Sequence, residues 1–250
     1  MSVRRENVRR TKTSAAVRLR PYRVLIVLGL LAVAGAIAFV VTWPGFAPKN
    51  VTVSGNRLIP AAEIVARARV SSHVNLWLQD PAAMERRVET IPYVAVAAVR
   101  RIPPSTVAIW VQERTPFAVV VFGTQASFVD RDLRVLGPAP AGSELPVFSL
   151  PKIAAPDAGT FLTDEDERAL FDDYAALVAA HVFPRGLSYD RFGGLVATLP
   201  QGVMVFFGES TDLEKKFALV NPILAQAQRG GRRLATIDVR APNTPVVTYR

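Results

Sequence analysis

An uncharged run, residues 24–48, follows directly on a strongly basic segment and constrains this chain more than any other feature. Its apolar heart, residues 24–41, reads Val-Leu-Ile-Val-Leu-Gly-Leu-Leu-Ala-Val-Ala-Gly-Ala-Ile-Ala-Phe-Val-Val. Extended through Thr42, that segment makes a helix of about 28 Å at about 1.5 Å per residue. This is close to the hydrocarbon thickness of about 30 Å. The run therefore predicts a transmembrane helix over residues 24–42, with the rest of the chain tethered to one side. Arg4, Arg5, Arg9, Arg10, Lys12, Arg18, Arg20 and Arg23 precede it against the single acid Glu6, whereas the first basic residue after it is Lys49. Basic flanks stay on the cytoplasmic side. Residues 1–23 then form a cytoplasmic tail and residues 43–250 are translocated. Tyr22 and Trp43 suit the two interfaces, where amphipathic aromatics gather.

Two other readings of the run fit less well. A cleaved signal peptide has a shorter apolar part and a small-x-small cleavage site; here Thr42-Trp-Pro-Gly-Phe-Ala-Pro48 follows. A buried helix of a soluble core normally keeps a polar stripe, and this run has none. The Ala32-x-x-x-Ala36 and Ala34-x-x-x-Ala38 spacings allow helix–helix packing.

The formal charge of +9 suggests a nucleic-acid partner until it is partitioned. Eight of the 30 basic residues but one of the 21 acidic ones lie in residues 1–23, leaving 22 against 20 in the remainder. The large part is nearly neutral and carries no nucleic-acid motif. The tail instead suits topology and anionic membrane lipids, at about 1 kcal/mol per basic residue near the surface. The sequence has no cysteine, which excludes disulfides, thiol catalysis and cysteine-based metal sites.

Past the linker at residues 43–49, the pattern predicts strand–helix–helix–strand–strand. Residues 50–54 alternate around Val51 and Val53. Pro60 opens a helix to about Arg69, and Asp80-Pro81 caps another to about Thr90. Residues 94–101 and 105–113 read as a hairpin turned at Pro103-Pro104. Trp77, Tyr93 and Trp110 are expected in its core. Beyond Pro116 the texture changes to short strands, at 117–122, 126–130 and 134–136, then an irregular connector at 137–160. A helix capped by Thr163 runs to about Ala180, with Asp172 and Asp173 on its solvated face. Strands follow at 187–190, 195–199 and 203–207. Thr211-x-x-Glu214 reads as a capping box, and Pro222 predicts a kink or an early end to the helix it opens. Strands at 234–239 and 244–249 close the chain.

Reactive constellations are not found. His73 and His181 lack ligand neighbours, and there is no nucleophile elbow, phosphate loop or dinucleotide-binding turn. The acidic run at 164–167 reads as a first helical turn favoured by the helix dipole. The chain reads as a binding module rather than an enzyme, with no cofactor.

The residues then suggest a family. Val51-Thr-Val-Ser-Gly-Asn56, Asn75-Leu-Trp-Leu78, Ile91-Pro-Tyr-Val94, Val99-Arg-Arg-Ile-Pro-Pro104 and Val107-x-Ile-x-Val-x-Glu-Arg-x-Pro116 resemble a POTRA domain of the FtsQ/DivIB cell-division family. Val129-Asp-Arg-Asp132, Gly142-Ser-Glu-Leu-Pro146, Leu199-Pro-Gln-Gly202, Phe207-Gly208, Glu214-Lys-Lys216 and Ile237-Asp-Val-Arg240 follow in the order of that family's β domain. The resemblance implies an α+β chain: a transmembrane helix, a β-α-α-β-β POTRA domain over 50–116, and a mixed or antiparallel β domain with flanking helices over 117–250. It implies a non-catalytic inner-membrane scaffold at the division septum, its ectodomain periplasmic, linking cytoplasmic-ring components to septal peptidoglycan synthesis. It also implies that FtsB/FtsL-type coiled-coil partners add a strand at the C-terminal sheet edge, 244–249, with Arg240, Val246, Val247 and Tyr249 as partner-binding residues. Three departures bear on this site. Ala241 stands where the family often has an aromatic, Pro245 cannot donate to a ladder, and the sequence ends at Arg250, so that no tail is expected to support the edge. Val246 and Val247 closing the core is the competing reading. A POTRA-bearing component of an outer-membrane secretion or assembly system is the alternative function; only about 45 residues follow Phe206, too few for the barrel such proteins carry, at roughly ten residues per strand.

Overall fold

A computed structural model describes residues 22–150 and 154–250; the basic tail expected over residues 1–23 lies outside it up to residue 21. Helix α1, Arg23–Thr42, is apolar on every side after Arg23, and none of its residues is buried among the described residues. It is long and apolar enough to cross a membrane. At its end Trp43 stacks on Phe39 at 6.0 Å and meets Phe46 edge-on at 5.1 Å.

The first globular unit has the predicted element order. β1 (Asn50–Ser54), β2 (Val94–Ile102) and β3 (Thr106–Glu113) form a sheet in the order β1-β3-β2, with β1 parallel and β2 antiparallel to β3. Helices α2 (Ala61–Ala68) and α3 (Pro81–Val88) bury Ile64, Ala68, Met84 and Val88 against Val107, Ile109 and Val111. Asp80 caps α3 as expected, accepting the Ala82 N–H at 3.0 Å. Trp77 and Trp110 depart from expectation: they are 47% and 46% exposed. Strand alternation is the reason for Trp110, because Val107, Ile109 and Val111 take the inward face. In the short turn Leu76–Leu78, Leu76 is the buried member and Trp77 points out. Tyr93 is half-buried against the core.

The second unit is a nine-stranded mixed sheet. Its strands are β4 (Ala118–Phe122), β5 (Gln125–Val129), β6 (Val135–Pro138), β7 (Val147–Leu150), β8 (Gly186–Tyr189), β9 (Leu195–Thr198), β10 (Met204–Gly208), β11 (Leu234–Asp238) and β12 (Val246–Tyr249). Their order is β12-β11-β10-β9-β8-β7-β4-β5-β6. Helices α4 (Glu165–Ala179) and α5 (Leu213–Arg229) contribute Leu170, Leu177, Phe217 and Val220 to one core with Phe148, Phe207 and Ile237.

Five local expectations change here. Strand β7 lies inside the expected connector; it is held between two parallel neighbours, β4 and β8, which the local sequence does not announce. Asp164, not Thr163, caps α4, and Glu167 completes a capping box with it. No such box forms at α5: Asp212 adopts a left-handed conformation there and its carboxylate binds Lys215 at 2.8 Å. Helix α5 continues through Pro222 to Arg229, held by its buried stripe of Phe217, Val220 and Ala227. Asp173 is half-buried, with one carboxylate oxygen buried and unpartnered.

The units meet at Arg114. Its guanidinium pairs with Asp130 at 2.5 Å and Asp132 at 3.0 Å, and its Nε donates to the Val94 carbonyl at 3.3 Å. Arg134, from the second unit, donates to the Glu89 carbonyl at the end of α3 at 3.0 Å.

Candidate interaction edge

Each sheet has two edges, and they are treated differently. Along β2, Glu85 of α3 and Glu89 just after that helix accept the N–H groups of Val99 (2.8 Å) and Ala97 (3.1 Å). Along β6, the segment around residues 159–162 returns: Val135 donates to the Thr160 carbonyl, and Gly159 donates to the Val135 carbonyl. The outer sides of β1 and β12 have no backbone partner among the described residues. Unpaired edge groups invite strand addition.

Strand β12 pairs antiparallel with β11 through Thr236–Thr248, Ile237–Val247 and Asp238–Val246. The Val239 N–H points to Phe206 on β10. By alternation, Thr236 and Asp238 turn their backbone toward β12 and bond there with Thr248 and Val246. The backbone groups of Val247 and Tyr249 then face outward. Pro245 precedes them on the same outward parity, so its missing N–H costs β11 nothing but shortens the donor row offered outside.

The four expected site residues divide between the two faces. Arg240 and Val246 line one hollow of about 280 Å³, together with Asp190, Arg191, Phe192, Phe206, Asp238 and Thr248. Val247 is half-buried against the large core, and Tyr249 is 44% exposed with the Arg232 guanidinium 5.1 Å above its ring. Core closure thus applies to Val247 and not to Val246, which is 60% exposed. Arg240 is held rather than free: its Nε reaches both Asp238 carboxylate oxygens at 3.0 Å. Its stem lies across Gly208, where φ is +69° and an added Cβ would come within 2.9 Å of the arginine Cγ. The bond from Arg240 holds the Asp238 carboxyl below the usual range despite partial burial, and Asp238 in turn raises the arginine. Asp190 accepts the Phe192 and Gly194 N–H groups at 2.8 and 2.9 Å; those bonds, with Arg240 and Arg191 nearby, also lower its carboxyl. Both carboxylates therefore stay charged at neutral pH, and Arg240 presents an exposed cation framed by them.

Phe192 is the residue that sequence reasoning missed. It is 80% exposed beside Val246, with the Arg191 guanidinium 4.6 Å over its ring. Its only signal was its place in the turn Asp190-Arg-Phe-Gly-Gly194. Among the described residues no group of three His, Cys, Asp or Glu side chains converges as a metal site.

A family model described as "POTRA domain, FtsQ-type" matches residues 46–114. A cell division protein FtsQ of Mycolicibacterium smegmatis is 30% identical over 240 residues, which cover 95% of this chain and 68% of that protein. The chain belongs to the FtsQ family. The FtsQ of Mycobacterium tuberculosis is 27% identical over 222 residues, covering 89% of this chain and 67% of that protein. That of Rhizobium meliloti is 25% identical over 207 residues, covering 82% and 64%. Membership makes this a cell division protein, with an FtsQ-type POTRA unit built on β1 to β3 and a second, larger sheet carrying the open β12 edge.

Proposed function

We propose that the chain is a non-catalytic, single-pass inner-membrane scaffold of the division apparatus. Residues 24–42 span the bilayer and 43–49 link the span to a POTRA domain at 50–116 and a β domain at 117–250. The basic tail is cytoplasmic and meets anionic lipid, and the ectodomain is periplasmic. An FtsB/FtsL-type coiled-coil partner adds a strand to β12, and other division components join through the remaining surfaces.

The observation that carries this reading is the contrast between edges. The β6 edge is covered by a returning segment, while β12 is open beside a hollow offering Arg240, Phe192 and Val246. Backbone pairing along an edge supplies affinity, and side chains next to it supply specificity. The partner segment is expected to carry an acidic residue opposite Arg240 and an apolar one opposite Phe192.

The test is binding of the full chain in nanodiscs to a soluble FtsB/FtsL-type heterodimer. Arg240→Glu is expected to weaken binding by about tenfold or more, equivalent to about 1.4 kcal/mol. The same variant should abolish septal localisation of the partner in cells. Unchanged affinity and localisation would remove the edge from the reading.

A further inference from the structure

The end of the POTRA unit that faces α1 carries a second surface. Asn75 is buried, and its side-chain amide donates to the carbonyls of Val40 and Val41, each at 2.9 Å. Those carbonyls belong to the last turn of α1, which has no onward helical partner for them. Asn75 therefore fixes the loop 71–79 beside the end of the apolar helix. The loop is rigid. Gln79, also buried, accepts from the Ser71 N–H at 2.9 Å and donates to the carbonyls of Ser71 and Val74 at 2.8 and 2.9 Å. Leu76 anchors it in the core with no exposed surface. Three apolar side chains project from it beside the exposed Ser72 and His73: Val74, Trp77 and Leu78 are 40%, 47% and 60% exposed.

Sheet topology brings more to the same end. Lys49, at the close of the linker from α1, donates to the Ser105 carbonyl in the β2–β3 turn at 2.8 Å. Ile102, 48% exposed, ends β2 there. Arg101 ties turn to loop: it donates to the Trp77 carbonyl at 3.2 Å and lies 5.9 Å over the Trp77 ring. Arg100 is exposed beside it. Exposed aliphatic side chains, an indole and two guanidiniums at the mouth of a membrane span match the chemistry of the headgroup–acyl boundary.

We propose that this end of the POTRA unit is seated in the phospholipid interface on the translocated side. Val74, Trp77, Leu78 and Ile102 enter the boundary, and Arg100 and Arg101 face lipid phosphates. The proposal rests on α1 being a membrane span. It gives the ectodomain a fixed orientation on the bilayer, so that β12 is displayed at a set height instead of swinging on the linker.

The three tryptophans make the test direct, since Trp43 ends the span and Trp110 is on β3 four residues beyond Thr106, about 13 Å along the strand from the β2–β3 turn. Three single-tryptophan chains, the other two residues replaced by Phe in each, are reconstituted in vesicles of phosphatidylcholine and phosphatidylglycerol brominated near the top of the acyl chain. Trp77 is expected to be quenched about as strongly as Trp43, with emission shifted to the blue, while Trp110 is quenched several-fold less and answers to aqueous iodide instead. Quenching of Trp77 by iodide but not by brominated lipid, with Trp43 still lipid-quenched, overturns the proposal and leaves the span intact. Loss of lipid quenching at Trp43 overturns the span and the proposal together. The chain with Asn75→Ala, all else as in the Trp77-only chain, is expected to lose much of the Trp77 quenching.

Discussion

Asp173 and Tyr189 show how single side chains set local chemistry. Asp173 was expected on a solvated helix face, and the spacing on α4 gave no reason to doubt it. The sheet beneath decides otherwise. Burial, reinforced by neighbouring Asp172, pushes its carboxyl up, and one oxygen has no hydrogen-bond partner. Burial, with Asp173 and Asp166 nearby, pushes the Tyr189 hydroxyl up to about 12. A carboxyl raised in the folded state binds its proton more tightly there than in the unfolded chain. Unfolding free energy therefore falls as pH rises from about 4, the ordinary value, through the raised one. Asp173→Asn removes that penalty. Thermal melts of the full chain in detergent should show the variant melting higher than the parent at pH 7, with the difference closing below about pH 4. A variant that melts lower at pH 7 would mean the carboxylate is stabilising.

At the level of elements, the strand edges separate into closed and open ones by identifiable means. Glu85 and Glu89 close β2 with carboxylates, a return segment closes β6, and β12 is left open. Alternation placed Val246 and Val247 on opposite faces, but which face was core could not be read locally, because Val-Val fits either register. The parity of β12 makes Tyr249 a sharp probe, since its N–H faces outward and its side chain is 44% exposed. Tyr249→Pro removes an outward donor without removing a bond to β11. The expected result is a melting temperature close to the parent's and a partner affinity several-fold weaker, read by titration in nanodiscs. Full affinity with Pro at this position would show that the partner does not pair as a strand along β12.

On the scale of the molecule, the joint at Arg114 holds the POTRA unit to the nine-stranded sheet. The Arg114 and Asp130 side chains are 11% and 6% exposed, and Asp130 also accepts the N–H groups of Asp132 and Arg134. Arg134 is lowered by burial and by Arg114 beside it, a cost the adjoining carboxylates partly offset. Removing one partner of such a pair strands a buried charge, which typically costs about 3–5 kcal/mol. Arg114→Ala is expected to lower the unfolding free energy of the full chain by that order, read from denaturant titration. Combining it with Asp130→Ala should cost less than the two single losses added together, because each single change already breaks the same pair. Strict additivity would show that the pair does not couple the units.

Much of this architecture is written locally. An apolar run without a polar face has to avoid water whatever surrounds it, and α1 follows. The POTRA order follows from alternation in β1 and β3 and from the Asp80-Pro81 cap, all signals within a few residues. The resemblance carried by Val107-x-Ile-x-Val-x-Glu-Arg-x-Pro116 and Ile237-Asp-Val-Arg240 placed the chain in its family and pointed to the terminal edge. What tertiary structure alone decided is whatever depends on a distant neighbour. Strand β7 exists because β4 and β8 flank it. Trp77 is outside because Leu76 fills the core, and Phe192 lines the hollow by β12 because the fold sets it beside Val246. The contact of Asn75 with Val40 and Val41 joins residues 34 and 35 positions apart, a pairing no local pattern encodes. Short-range periodicity fixes which elements form; the free energy of covering their remaining polar and apolar surface fixes where they meet.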